Sequence, residues 1–403
     1  MRILFLSPRL CLPLVTGARI REYYLARALA AHAEVTYVSF IQPDFPAPPP
    51  TDLSFFHDVR LVPLQGRYSP AKIARGIFDR RPLSVLNYTT PEMRSAVQAI
   101  ARQEPFDLVH VESCHMVEYL SCLEKIWGRP VRAVHNWHNI ESEVMRRYSA
   151  TVASLPKKVY ANLTARRLAR LEDWILRTGF GHVVCSSREK DELLALAPAA
   201  RFAVIENGVD TERYTPSAEA TPRCRLVYVG TMDYYPNIEA TTWFTRRVWP
   251  RVRERFPELR LTLVGGNPSA AVRELQNQPN VEVTGTVPDV RPYYRDALAS
   301  IVPLHTGGGT RLKILEAMAS GVPVISTTLG AEGLAVSPGK DIDIVDDEGG
   351  WLPALEALMS QERLRTDRVA SALHLVRTSY NWASLGERLY EEYRSWLAGS
   401  PKY

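Results

Sequence analysis

A chain of 403 residues is longer than one hydrophobic core usually sustains, so two domains are expected. Its 46% hydrophobic and 23% charged content excludes fibrous, low-complexity and disordered classes. A net charge of +5 suits an anionic substrate or a membrane surface and is too weak a bias to support nucleic-acid binding. The five cysteines (Cys11, Cys114, Cys122, Cys185, Cys224) are scattered and form no Cys-x-x-Cys pair. That pattern points to reduced thiols in a cytoplasmic setting, not to a disulfide framework or a zinc site.

In chain order, Ile3-Leu4-Phe5-Leu6 is interrupted by Pro8, Arg9 and Pro13, so it reads as a first strand and not as a signal peptide. No apolar run reaches the length of about 18 residues that a membrane-spanning helix needs. Short apolar runs then alternate with helical segments, the mark of a parallel α/β sheet. The first half predicts strands at Arg2–Ser7, Glu34–Phe40, Val59–Leu64, Leu108–Glu112, Val131–His135, His182–Ser186 and Ala203–Ile205. A Leu- and Ala-rich helix, Ala18–Ala31, follows Gly17. The pattern restarts with strands at Arg225–Gly230, Arg260–Gly265, Val281–Gly285, Ser300–Leu304, Pro323–Ser326 and Asp341–Val345, and helices at Ile238–Arg255 and Arg291–Ala297. Between the halves, Asn207-Gly208 and Pro216 mark a turn and linker. Two doubly wound domains facing each other across a cleft are expected, residues 1–209 and 210–380, with ligands at the carboxyl ends of the strands. Trp382, Leu385, Leu389, Tyr393 and Leu397 keep helical spacing, so residues 381–403 are expected to form an amphipathic helix that packs back on the first domain.

The segment from Pro303 to Gly321 carries the most chemistry. Gly307, Gly308 and Gly309 lie between an apolar strand and a helical run over Arg311–Ser320. A glycine turn that opens a helix presents unpaired N–H groups at a positive dipole end, which suits a phosphate. Arg311 and Lys313 add cations to the expected first turn, and Glu316, three residues after Lys313, shares its face. The combination fits a nucleotide-sugar site. The alternative is an ordinary strand–turn–helix with surface charges.

Three segments resemble a known family. They are Ile205-Glu-Asn-Gly-Val-Asp210 with Tyr214-Thr-Pro216, Val229-Gly-Thr-Met-Asp-Tyr-Tyr-Pro-Asn237, and Leu315-Glu-Ala-Met-Ala-Ser-Gly-Val-Pro-Val324. Together they are similar to glycosyltransferase family 4, the nucleotide-sugar-dependent retaining transferases of the GT-B fold. The resemblance implies that Glu316, the second glutamate of a Glu-x7-Glu motif, grips the ribose hydroxyls of the donor. It implies that Gly17 lets the backbone approach the donor, and that His138 is the histidine that touches the donor sugar, with His135 as its competitor. It also implies a saccharide, lipid-linked or small-molecule acceptor, a place in polysaccharide or glycoconjugate synthesis, and no metal or other cofactor. A sugar-nucleotide epimerase and a non-catalytic nucleotide-sugar-binding member are the alternatives.

The sequence departs from the family pattern twice. The first motif glutamate is replaced by Gly308, which leaves the backbone amides of Gly307 to Thr310, or a water, to hold the sugar hydroxyls. No cation follows Gly230, so Arg311 and Lys313 are expected to meet the diphosphate instead. The acidic run Asp341-Ile-Asp343 with Asp346 and Asp347 reads as a solvated strand end and not a metal site. Residues 143–177 and 67–81 are basic with partial apolar faces. Either could rest on an anionic inner-membrane face, the alternative being a solvated helix surface.

Overall fold

In the computed structural model the described residues are 1–14, 16–42, 50–64, 76, 79, 81–103, 105–152, 154–217, 224–307 and 311–399. They divide into two compact units, Met1–Glu206 with the chain from Leu385 onward, and Asn207–Ser384.

The first unit is built on a seven-stranded parallel sheet. Its strands are β1 (Arg2–Ser7), β2 (Glu34–Ile41), β3 (Asp58–Pro63), β4 (Leu108–Glu112), β5 (Ala133–Asn136), β6 (Gly181–Val184) and β7 (Phe202–Val204). They lie in the order β3-β2-β1-β4-β5-β6-β7. Ile3, Leu4, Phe5 and Leu6 are wholly buried, as a strand covered on both faces by helices requires, and this is why its sequence is a continuous apolar run. The order reverses beside β1, where Phe5 pairs with His110 of β4 and stacks on its ring at 4.1 Å. Helix α1 (Gly17–Ala30) follows β1, its first turn capped by the Thr16 hydroxyl, which accepts from the Arg19 amide.

A helical hairpin, α2 (Glu141–Thr151) and α3 (Leu155–Thr178), joins β5 to β6. The second unit has a six-stranded parallel sheet of β8 (Arg225–Val229), β9 (Arg260–Val264), β10 (Val281–Gly285), β11 (Ala297–Val302), β12 (Val324–Ser326) and β13 (Asp343–Ile344). The order is β10-β9-β8-β11-β12-β13, reversing between β8 and β11. Its site-bearing helices are α4 (Tyr235–Trp243) and α5 (Leu312–Ala319). Helix α6 (Trp382–Ala398) lies with the first unit from Leu385 on. There Arg388 donates to the Val204 carbonyl and the Glu206 carboxylate, and Arg201 to the Trp396 carbonyl. Leu385, Leu389 and Tyr393 are fully buried, whereas Trp396, not Leu397, completes the apolar face.

Several boundaries differ from those expected. The helix expected to reach Ala297 stops at Arg295, because Ala297-Leu298-Ala299 is buried as the start of β11. Strand β5 begins at Ala133 and runs to Asn136, which places His135 inside the sheet. Strand β6 stops at Val184, and Ser186 instead caps the next helix. The expected strand Asp341–Val345 shrinks to Asp343–Ile344. The helix expected over Ile238–Arg255 starts at Tyr235 and passes through a π turn at Phe244–Val248 just before Pro250, whose ring nitrogen has no hydrogen to donate.

Two histidines sit neutral in the first core. Burial pushes His135 down to about 3 and His182 down to about 4. Trp137 Nε1 donates to His182 Nδ1 at 3.3 Å, as a neutral ring permits. Between these values and the ordinary value of 6.5, the unfolded chain binds more protons than the folded one. Stability therefore falls as pH falls through that window. We expect His135→Leu to lose about 2 kcal/mol less than the parent chain between pH 7.5 and pH 5, measured by urea unfolding of the first unit's near-ultraviolet signal. Parallel losses in the two proteins would remove His135 from the account.

Candidate active-site residues in the two domains

In the first unit a buried carboxylate gathers its partners at the carboxyl ends of β4 and β5. Glu112, 1% exposed, ends β4. Its Oε2 accepts from His110 Nε2 at 2.9 Å, both oxygens accept from Asn136 Nδ2 at 3.1 and 2.9 Å, and Oε1 accepts from His138 Nε2. Arg21 of α1 donates to Asn136 Oδ1 at 3.3 Å and to the Glu206 carbonyl at 3.0 Å. Burial alone would push Glu112 up, but His138 and the bonds from both histidines outweigh it and hold the carboxyl well below the usual range. Nearby Glu22 behaves oppositely. Burial and the charge of Glu112 push it up to about 8, so it stays protonated at neutral pH, with the Tyr37 hydroxyl at 2.7 Å.

Directly after Glu112, Ser113 takes φ 78° and ψ 149°, a region nearly reserved for glycine and costing about 1–3 kcal/mol. Strain of that size next to a buried carboxylate marks a constrained site. A pocket here is lined by Ser113, Cys114, His135, Asn136, His138, Glu141 and Glu172, among others. Burial, and then the charge of Glu172, raises Glu141. The two candidate histidines therefore separate. Both line the pocket, but His135 is buried within β5 against His182, while His138 lies past the strand end and is bonded to Glu112. Gly17 opens α1.

In the second unit, Lys313 of α5 is turned toward the end of β8. Its Nζ donates to the Tyr228 hydroxyl at 2.8 Å and to Asn237 Oδ1 at 3.0 Å, and sits 4.0 Å from the Tyr228 ring centre. A Cβ on Gly230 would lie 2.9 Å from that ammonium, so the glycine leaves room for it. Burial first, then Arg311, pushes Lys313 down to about 7. Glu316, one turn on, accepts from the Tyr214 hydroxyl at 3.2 Å, and burial raises it to about 7. Gly307, at φ +95°, packs where a Cβ would lie 2.6 Å from Pro236, so this turn requires glycine.

Arg311 differs from expectation. The helix starts at Leu312, so Arg311 occupies the cap position and not the first turn. Its guanidinium donates to the carbonyls of Leu329 at 2.9 Å and Gly307 at 3.4 Å. Gly308, Gly309 and Thr310 lie outside the described residues, as does most of the basic run 67–81. The acidic run is engaged internally. Asp341 accepts from Ser337, Asp343 pairs with Arg368, Asp346 accepts from Thr328, and Asp347 accepts from Gly350.

Sequence reasoning missed Glu112, His110, Asn136, Tyr228 and Asn237. The signal available was polar residues alternating on otherwise apolar strands, as in Leu108-Val-His-Val-Glu112, where His110 and Glu112 share a face.

Two parallel α/β Rossmann-like domains define a protein of the GT-B class. The first domain matches the family described as "Glycosyltransferase Family 4" over residues 15–213, and the second matches "Glycosyl transferases group 1" over residues 223–361. The chain belongs to glycosyltransferase family 4. An uncharacterized 44.6 kDa protein in the cps region of Klebsiella pneumoniae is 27% identical over 31% of this chain and 34% of its own length. A GDP-mannose-dependent alpha-(1-6)-phosphatidylinositol monomannoside mannosyltransferase of Mycolicibacterium smegmatis is 27% identical over 49% of this chain and 57% of its own. The matched stretch thus spans less than two-thirds of either relative. Sucrose-phosphate synthase from Thermosynechococcus elongatus shares the fold at TM-score 0.70 and 20% identity, covering 99% of this chain and all of that one. Anabaena HepE, solved in complex with UDP and glucose, shares it at TM-score 0.64 and 14% identity, over 98% of this chain and 100% of its own.

A lysine held near 7 is half neutral at physiological pH and nucleophilic there. Competitive acetylation with acetic anhydride, read by peptide mapping, should give Lys313 a reactivity midpoint near pH 7, well below the ordinary value of 10.5. A midpoint near the ordinary value would show the ammonium to be solvated.

Proposed function

We propose that the chain is a retaining glycosyltransferase that moves a sugar from a nucleoside-diphosphate donor to a saccharide, lipid-linked or small-molecule acceptor. The observation that carries this reading is the pairing on α5 of Lys313 and Glu316, a cation beside the end of β8 and a carboxylate one turn away. Open α/β sheets bind nucleotides at such carboxyl ends, where strand order reverses. In this reading Lys313 meets the diphosphate and Glu316 accepts the ribose hydroxyls. Arg311 braces the Gly307 turn through its carbonyl, and its charge adds to the positive field. When the donor bond breaks, positive charge grows on the sugar and negative charge on the leaving phosphate, which Lys313 stabilises without reorganising. The leaving phosphate takes the acceptor's proton, and His138 orients the sugar. Relatives whose names include UDP, glucose and GDP-mannose support a nucleotide-sugar donor.

The charge states set a pH dependence. Glu316 must be ionised to accept two hydroxyls, so donor affinity rises as pH rises toward 7. Lys313 must be protonated to hold phosphate, so affinity falls as pH rises beyond 7. A panel of nucleotide sugars with detection of released nucleoside diphosphate should identify a donor whose affinity peaks near neutrality. Glu316→Gln should weaken it about 10- to 100-fold and abolish the acid limb, and Lys313→Met should abolish the alkaline limb. Chelator should leave turnover unchanged. An isomerised donor would instead indicate an epimerase, and binding without turnover a non-catalytic member.

The helical hairpin supports a lipid-linked acceptor. Leu155 is 71% and Val159 61% exposed, and the hairpin also exposes Val144, Tyr148, Tyr160 and Leu163 and the cations Arg146, Lys157, Lys158 and Arg166. Exposed apolar and cationic side chains on the same two helices fit the headgroup region of an anionic bilayer. No described helix is long and apolar enough to cross a membrane. We expect co-sedimentation with anionic vesicles at low salt, little with zwitterionic vesicles, and loss of binding in Leu155→Asp/Val159→Asp. Absence of binding to anionic vesicles at low salt would remove the membrane from this reading.

A further inference from the structure

We infer that Tyr393, on the last helix, is a positioning residue that locks the protonation pattern of Glu112 and His138. His110 is wholly buried, with Nε2 facing Glu112 Oε2 at 2.9 Å and Nδ1 facing the Tyr393 hydroxyl at 2.6 Å. Tyr393 is also wholly buried, and His110 Nδ1 is the partner its hydroxyl has among the described residues. If that hydroxyl only accepted, its own proton would be buried without an acceptor, at a cost of about 1–3 kcal/mol. It therefore donates, and His110 Nδ1 accepts.

The remaining directions follow in order. A neutral ring that accepts at Nδ1 carries its proton on Nε2. His110 thus donates to Glu112 without adding charge, and the carboxylate stays an anion directed at His138. His138 in turn presents its Nε2 proton to Glu112 and leaves Nδ1 as the ring's other polar atom. The chain runs from the Tyr393 O–H through His110 and Glu112 to His138, each donor feeding one acceptor.

Without the hydroxyl, His110 is released from this tautomer. With its proton on Nδ1, Nε2 would set a lone pair against Glu112. As an imidazolium, it would compete with His138 for the carboxylate. Either outcome loosens His138. The titratable and charged groups around Glu112 are His110 on β4, His138 after β5, Arg21 and Glu22 on α1, and Tyr393 on α6. Tyr393 is the member of this set that comes from α6, and the tautomer of His110 depends on it.

The positioning role rests on the proposed role of His138, whereas the tautomer does not, so two measurements separate them. Nitrogen-15 spectra of histidine-labelled full-length protein should show His110 as the Nε2–H tautomer, with Nδ1 unprotonated. Tyr393→Phe should convert it to the other tautomer or to the doubly protonated ring. On the donor identified by the panel, Tyr393→Phe should lower kcat about tenfold, leave the donor dissociation constant within about twofold, and shift the kcat–pH profile. Leu389→Ala, on the same helix, should lower the melting temperature without moving the histidine signals or the profile. A protonated Nδ1 on His110 in the parent protein would overturn the tautomer. The expected spectra with unchanged kcat and pH profile in Tyr393→Phe would overturn the positioning role.

Discussion

A carboxylate can be kept ionised in a protein interior only if donors surround it, and Glu112 sets that condition for the first domain. Desolvation opposes its charge, so the fold must bring three side chains to two oxygens. Those side chains come from β4, β5 and the turn after β5, and Arg21 of α1 orients Asn136 in turn. The parallel order of β1, β4 and β5 is what makes this possible. It lines up the ends of adjacent strands at the reversal of strand order, where the first turn of α1 also begins. The contrast with Glu22 shows how local the effect is. One carboxyl is stabilised as an anion, and its neighbour, lacking comparable donors, is pushed toward the neutral acid.

The second domain handles charge differently. Lys313 and Glu316 both sit near the midpoint of titration at neutral pH, because burial disfavours the charged form of each. Groups poised in this way are ready for a ligand that supplies the missing counter-charge and hydroxyls. Under the proposed reading, a diphosphate would raise the lysine's affinity for its proton, and ribose hydroxyls would favour the carboxylate. Arg311 raises the local potential while its guanidinium is bonded to backbone carbonyls. A Lys/Arg pair that looks equivalent in the sequence thus divides into a group facing the end of β8 and a brace for the glycine turn.

The architecture was legible because strands covered on both faces are written as uninterrupted apolar runs, and that pattern occurs twice along the chain. Legibility failed where burial overrode local propensity. Ala297 reads as the end of a helix but begins a strand, and His135 reads as a strand-end polar residue but is core. Glu316 and Lys313 could be named from sequence because one helix turn places them together. Glu112 could not, since its partners come from separate elements and its relation to Tyr393 spans His110, at a sequence separation of 283 from the tyrosine. Spacing rules report neighbours along a helix or strand. They do not report which distant side chain ends a hydrogen-bond chain.

The placement of α6 has a consequence for how the protein is made. The first domain's core lacks Leu385, Leu389 and Tyr393 until the ribosome has finished the whole second domain. Vectorial synthesis therefore leaves the amino-terminal half waiting with an uncovered apolar strip and a His110 nitrogen without its hydroxyl, while the later half can close by itself. The earliest-made half is thereby the one whose core is completed by the last-made helix.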